Sequence, residues 1–352
     1  MVGWPDRRFL DLVGSEHPIV QAPMAGAGGV ELCIAASVGG ALGSLPCAML
    51  SPEQVREQVA EVRARASGPL NLNFFSHDMP AGVDDSAWRA LLRPYYTEYG
   101  VEPGNGGALR LPFDEQMCAV VEEVRPAAVS FHFGLPEPKL LERVKSSGAV
   151  VLGNATSVNE ARWLESRGAD GVIAQGFEAG GHTGRFLGSD AAEAMGLFAL
   201  LPQVVDAVSV PVVAAGGIAD GRGIAAALTL GASAVQLGTA YLHAPETPIS
   251  AAHRSRLKDG RTLFTNLMTG GLARGLRGRL VDDLGPIRAE APAYPLASAA
   301  LAPIRAAAEA QGEFGFGPMW AGQAAPLGWA LPAAELTRKL AADALAILAR
   351  RA

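Results

Sequence analysis

The chain has 352 residues, 49% of them hydrophobic and 18% charged, enough for one large α/β domain of barrel size or two smaller domains. A formal charge of -6 supplies no basic field for a nucleic acid backbone, and neither a transmembrane run nor the apolar core of a signal peptide stands out. Three cysteines (Cys33, Cys47 and Cys118), an odd number with no C-x-x-C pair, fit a reducing compartment, so the cytoplasm is the expected location.

In chain order, "PIVQAPM" at 18–24 reads as a first strand ending in a loop, and "GGVELCIAASVGG" as a helix stopped by glycine. A second strand, "ALGSLP", precedes an amphipathic helix that Ser51 caps and Pro52 opens. "LNLNFF" is the third strand. Residues 77–112 then break the rhythm and read as an inserted helix and loop, before a regular helix at about 113–125. From there strands and helices alternate: "AAVSFHF", "AVVLGNA", "DGVIAQG", "VPVVAAGG" and "ASAVQLGTA" are strands, each separated from the next by helix-forming sequence. Eight strands in this pattern predict an α/β fold, a closed TIM (β/α)8 barrel in one domain over residues 1–350, with an open doubly wound sheet as the alternative. Residues 245–350 show no clean alternation and read as mainly helical elements packing on or over the barrel.

In such a barrel the C-terminal strand ends meet at one face, where loops deliver the chemistry. Ala22, Pro23 and Met24 fall there after strand one, Asn71 and Asn73 on strand three, His132 on strand four, and Gln175 and His182 after strand six. The stretch "QGFEAGGHTGRF" at 175–186 sets His182 among glycines, which suits close backbone approach or, more plainly, a lid whose histidine faces water. Within it Glu178 reads best as a structural ion pair, with Arg185 as its partner. "AAGGIADGRG" and "VQLGTAYL" each put glycine after an apolar strand, at the customary phosphate position of barrels. Neither fits the nucleotide triphosphate loop, and "MAGAGGVE" lacks dinucleotide spacing. Flavin mononucleotide would fit these features, its phosphate near Gly217 and Gly238 and its ring over "APM". No three-histidine or two-histidine-carboxylate spacing points to a metal. Tyr95, Tyr96, Tyr99 and Trp320 are candidates for the pocket wall or for plain apolar burial.

"APMAG", "NLNFF", "SFHFG", "GNATSVNEA", "QGFEAGGHTGRF", "VVAAGGI", "VQLGTAYL" and "MWAGQAA", in order from about residue 15 to 325, resemble the nitronate monooxygenase family, formerly 2-nitropropane dioxygenase, of the bacterial class I type. The resemblance implies an FMN-dependent barrel that oxidises alkyl nitronates such as propionate 3-nitronate with O2 to carbonyl compounds and nitrite, through single-electron transfer and a flavin semiquinone. Carried over by position, it makes Ala22, Pro23, Met24, Asn71, Gln175, Gly180, Gly217, Gln236, Leu237, Gly238 and Thr239 the FMN contacts. It makes His182 the catalytic histidine, and His132 and His182 the substrate-facing pair. Two alternatives stand beside it: an FMN-dependent NAD(P)H:quinone or enoyl reductase, which shares the cofactor loops, and a non-redox barrel lyase or isomerase acting on a phosphorylated metabolite. A monomer and a homodimer are both compatible with the sequence.

Overall fold

The computed structural model describes residues 3–104, 109–188 and 191–350, so positions 105–108 of the insertion and the extreme termini lie outside the described residues. Eight parallel strands form one sheet: β1 (Ile19–Gln21), β2 (Gly43–Pro46), β3 (Leu70–Phe75), β4 (Ala128–His132), β5 (Val150–Ala155), β6 (Gly171–Gln175), β8 (Val212–Ala215) and β9 (Ala234–Leu237). The order β1-β9-β8-β6-β5-β4-β3-β2 is that of a barrel, and a single bridge between Val20 and Leu42 joins its two ends. Closure removes the sheet edges that an open arrangement would leave exposed.

The alternation within each strand explains the packing. On β3, Leu72 and Phe74 join the apolar layer beneath the surrounding helices. Asn71 and Asn73, two residues apart and so on the opposite face, turn into the barrel and donate to the Ser130 hydroxyl at 3.0 Å each. The helix Pro52–Arg65 starts as its sequence requires, with Ser51 and Gln54 closing a capping box and Pro52 in the first turn.

The insertion and the C-terminal third are built together. Helix Ser86–Tyr99 of the insertion packs against helix Ala297–Ala310, and the two share an apolar cluster with Leu267, Leu280 and Phe316 that is separate from the barrel's core. Trp88 Nε1 donates to the Ala297 carbonyl at 3.1 Å, and the Tyr96 hydroxyl to the Ala300 carbonyl at 2.6 Å. Helix Ala333–Ala349 instead lies on the barrel's outside, against helices Gly221–Thr229 and Val30–Val38.

One part of the C-terminal third departs from the all-helical expectation. Strands β10 (Thr262–Thr265) and β11 (Ala273–Leu276) pair antiparallel, and the two-residue strand β7 (Gly181–His182) adds to β11, with His182 opposite Ala273. The glycine-dense stretch is therefore no lid facing water. It is the third strand of a small sheet laid over the barrel mouth, and four-residue strands with no apolar alternation give little periodic signal by which to find them.

Candidate active site

A cavity of about 170 Å³ opens at the C-terminal ends of the barrel strands. It is lined by Ala22, Pro23, Met24, His132, Gln175, Gly180, His182, Gly217, Gln236, Gly238 and Thr239, so nearly all the residues singled out from the sequence converge there. Two do not line it. Leu237 is buried in the core and touches this region through its carbonyl, which accepts from the Ala22 N–H at 2.9 Å. Asn71 sits one step deeper in the barrel, donating to Ser44 and Ser130, and Asn73 takes the cavity position.

The loop after β6 is held by its own polar groups. Gln175 Oε1 accepts from the Gly184 N–H (2.8 Å) and from Asn154 (3.1 Å), while its Nε2 donates to the His182 carbonyl at 3.0 Å. His132 donates to the same carbonyl through Nε2 at 3.2 Å, which fixes its neutral tautomer with Nδ1 as the acceptor. Gly180 is needed for close approach: a Cβ there would lie 2.5 Å from the backbone of Ala321 and Gly322, the segment that closes the mouth. Glu178 is not paired with Arg185 as expected. Its carboxylate accepts from the Leu197 N–H at 2.9 Å, capping a helix whose own N-cap, Gly196, has no side chain to do so. Glu178→Ala is expected to lower stability by about 1 kcal/mol, measured by denaturant unfolding with FMN saturating; an unchanged midpoint would remove the cap from the account.

His182 is 9% exposed. Its Nε2 meets the Thr269 hydroxyl at 2.9 Å, and no described residue engages Nδ1. Burial first, then the Arg110 charge and the rings of His132 and His77, hold its pKa well below the ordinary imidazole value. His132 is pushed down to about 4, chiefly by burial. Both rings are therefore neutral near pH 7.

An aromatic cage surrounds the pair. Tyr294 lies 5.0 Å and Trp320 5.4 Å from the His182 ring, both edge-on, and Phe133 and Phe75 flank His132. Of the four aromatics named from sequence only Trp320 lines the cavity. Tyr95 and Tyr96 belong to the outer cluster, where their hydroxyls find Asp283 and Ala300, and Tyr99 takes a bond from Arg279. Tyr294, Thr269 and Arg110 escaped sequence reading because none sits in a motif; only the fold brings them to the mouth.

The opposite side of the cavity suits a phosphorylated, hydrogen-bonding cofactor. Gly216 (φ 108°) and Gly217 (φ 69°) occupy the left-handed region after β8, and the N–H groups of Gly217 and Gly238 have no backbone acceptor among the described residues. Gln236 Oε1 is buried at the cavity without a partner. Unmet donors and an orphaned acceptor are what a flavin phosphate and a flavin ring edge would satisfy. Among the described residues no cluster of His, Cys, Asp or Glu could hold a metal.

Fold and site together define a barrel protein whose mouth suits a phosphorylated, hydrogen-bonding cofactor. A sequence profile of the nitronate monooxygenase family matches residues 7–343. Nitronate monooxygenases of Pseudomonas aeruginosa and Paraburkholderia phytofirmans are 43% and 42% identical to the chain, each over 95% of it and over 97% and 94% of their own lengths. The crystal structure of nitroalkane oxidase from Streptomyces ansochromogenes superposes with a TM-score of 0.91 at 36% identity, covering 98% of this chain and all of that one. FabK from Thermotoga maritima superposes less closely, with a TM-score of 0.77 at 27% identity, over 100% of this chain and 99% of its own. The chain belongs to the nitronate monooxygenase family, bacterial class I type, and is an FMN-dependent oxidoreductase with the nitronate-oxidising activity typical of that family.

Proposed function

We propose that this enzyme oxidises alkyl nitronates, propionate 3-nitronate among them, with O2 to carbonyl compounds and nitrite, and that His182 is its catalytic residue. The observation that carries this reading is a buried, neutral His182 whose free Nδ1 faces a cavity with unmet phosphate-type donors on its other side. A nitronate is already an electron-rich anion, so it needs positioning more than a base. With the Thr269 hydroxyl donating to Nε2, His182 carries its proton on Nδ1 and donates it in a hydrogen bond to a nitronate oxygen. With the opposite tautomer, Nδ1 accepts, and the same ring can remove the α-proton of a neutral nitroalkane. His132 and Gln175 hold the His182 backbone between them, and the His132 ring adds a wall to the substrate side.

FMN, when bound, supplies the electron acceptor. Ala22, Pro23, Met24, Gln175, Gly180, Gln236 and Thr239 would hold its body, and the N–H groups of Gly217 and Gly238 its phosphate; Leu237 would contribute backbone only and Asn71 would act through Ser44 and Ser130. Gln236→Leu removes the orphaned acceptor and is expected to weaken FMN about tenfold, the worth of one hydrogen bond, read by fluorescence titration of the apoprotein; an unchanged Kd would place the flavin edge elsewhere.

Residues 1–350 act as one domain in this reading, and three buried free cysteines favour a reducing cytoplasm. No helix among the described residues is long and apolar enough to cross a membrane. The test is to purify the protein, record its visible spectrum, and mix it without oxygen first with propionate 3-nitronate and separately with NADH. A flavin reduced by the nitronate, with nitrite released once air is admitted, supports the reading. Reduction by NADH alone would make the chain a reductase.

A further inference from the structure

Arg110 is 7% exposed, lines the active-site cavity, and has no carboxylate partner among the described residues. It comes from the insertion, where the Phe113 N–H bonds to the Phe75 carbonyl and so ties its segment to the end of β3. Strand β3 stands four places from β8 in a hoop of eight, across the barrel from the glycine turn at 216–217. Arg110 is therefore not a phosphate ligand for a cofactor seated at that turn.

Among the described residues no carboxylate acts on Arg110. Tyr294 and His182 lie within electrostatic reach of it, and the other charge in reach, Arg305, is positive and already bonded to Glu309 at 2.7 Å. His77 packs 4.8 Å from the Tyr294 ring and against the Arg110 backbone, and the Tyr294 hydroxyl is buried without a partner. Among the described residues lining the cavity Arg110 is the one permanent cation, and Glu178, the one carboxylate, is committed to the Leu197 N–H. A buried guanidinium left unpaired is costly, and such a site is completed by an anion that brings several acceptors.

We propose that Arg110 forms a carboxylate subsite that selects nitronates bearing a second negative charge away from the reacting carbon. This rests on the nitronate reading above. The alternative target, the nitronate head itself, is disfavoured by chemistry: that group must give up an electron, and a full positive charge against it would stabilise the anion that has to be oxidised. The residue beside the head is the neutral His182. A charge that persists through the reaction is where a permanent cation binds without opposing the chemistry, and its binding energy serves to position the other end of the molecule.

The test compares holoenzyme with Arg110→Met on propionate 3-nitronate, which has the carboxylate, and ethyl nitronate, which lacks it. The expected result is a fall on the order of 100-fold in the ratio of the two kcat/KM values, carried by KM for propionate 3-nitronate. A ratio that stays put, whether both rates fall or neither does, overturns the proposal. Should Arg110→Met lose its flavin, Arg110→Lys carries the same comparison with a drop of about tenfold, since it keeps the charge but not the planar fork. In parallel, butyrate and butanol are titrated against the flavin absorption spectrum of the wild type and the variant. Saturable perturbation by butyrate alone, weakened in the variant, supports the subsite, and equal binding in both proteins overturns it. If the wild type oxidises neither nitronate, the proposed function fails while this titration still decides the subsite.

Discussion

Replacing His182 by Asn is expected to lower kcat/KM for nitronates by about 10²- to 10³-fold while leaving the protein yellow, the loss typical of removing one aimed donor from a water-poor site. The backbone argument makes this substitution clean: Gln175 and His132 bind the carbonyl of residue 182, not its ring, so the strand stays in place when the side chain changes. What disappears is the Nδ1 donor that Thr269 orients. Because burial, Arg110 and the neighbouring rings keep His182 neutral, the wild-type kcat/KM should also be flat between about pH 6 and 8. Wild-type-like turnover by the variant, or a profile falling as pH rises through the ordinary imidazole value, would take His182 out of the mechanism or make it act as a cation.

Acid should destabilise this protein early, before its carboxylates titrate. All six histidines (His17, His77, His132, His182, His243 and His253) are held below the ordinary imidazole value of 6.5, each chiefly by burial. His132 and His253 fall to about 4. Unfolding frees these rings to bind protons that the folded state refuses, so stability is complete above pH 6.5 and is lost as pH falls toward the folded values. At pH 5 those two rings alone remove up to about 2 kcal/mol each, or roughly 5 °C in Tm for a chain of this length. Thermal scans at pH 7.5 and pH 5 with FMN saturating measure it. His253→Gln should flatten the dependence, since that ring's Nε2 bonds only the Trp320 carbonyl, which an amide can also reach. Equal Tm at both pH values would mean the histidines are hydrated.

The barrel was legible in the sequence because its signal is local. Runs such as "AVVLGNA" and "DGVIAQG" are short, apolar and punctuated by glycine, and each gives a strand within a residue or two of its expected ends. The glycine turns of the proposed cofactor side were legible for the same reason: Gly216, Gly217 and Gly238 mark strand ends whatever else surrounds them. The substrate side was not. Arg110, Tyr294 and Thr269 come from the insertion and from the C-terminal third, where a lone arginine or tyrosine has the same local context as a surface residue. The hairpin at 262–276 was hidden because its inner residue, Arg274, is a charge; only the fold reveals that its guanidinium packs against the rings of both Phe177 and Phe264, 4.6 and 4.2 Å away.

The bond from Trp88 to Ala297 links positions 209 residues apart, and with Tyr96 and Ala300 it makes the insertion and the C-terminal third halves of a single roof. The barrel below keeps its own core and its own glycine turns. Transplanting residues 77–112 alone into a relative would strand Trp88 without its acceptor and an apolar face without its mate. Moving both halves together carries a complete roof, and with it Arg110 and Tyr294. Substrate preference in this architecture is thus inherited as a matched pair of distant segments, and chimeras that respect the pairing are the ones that will fold.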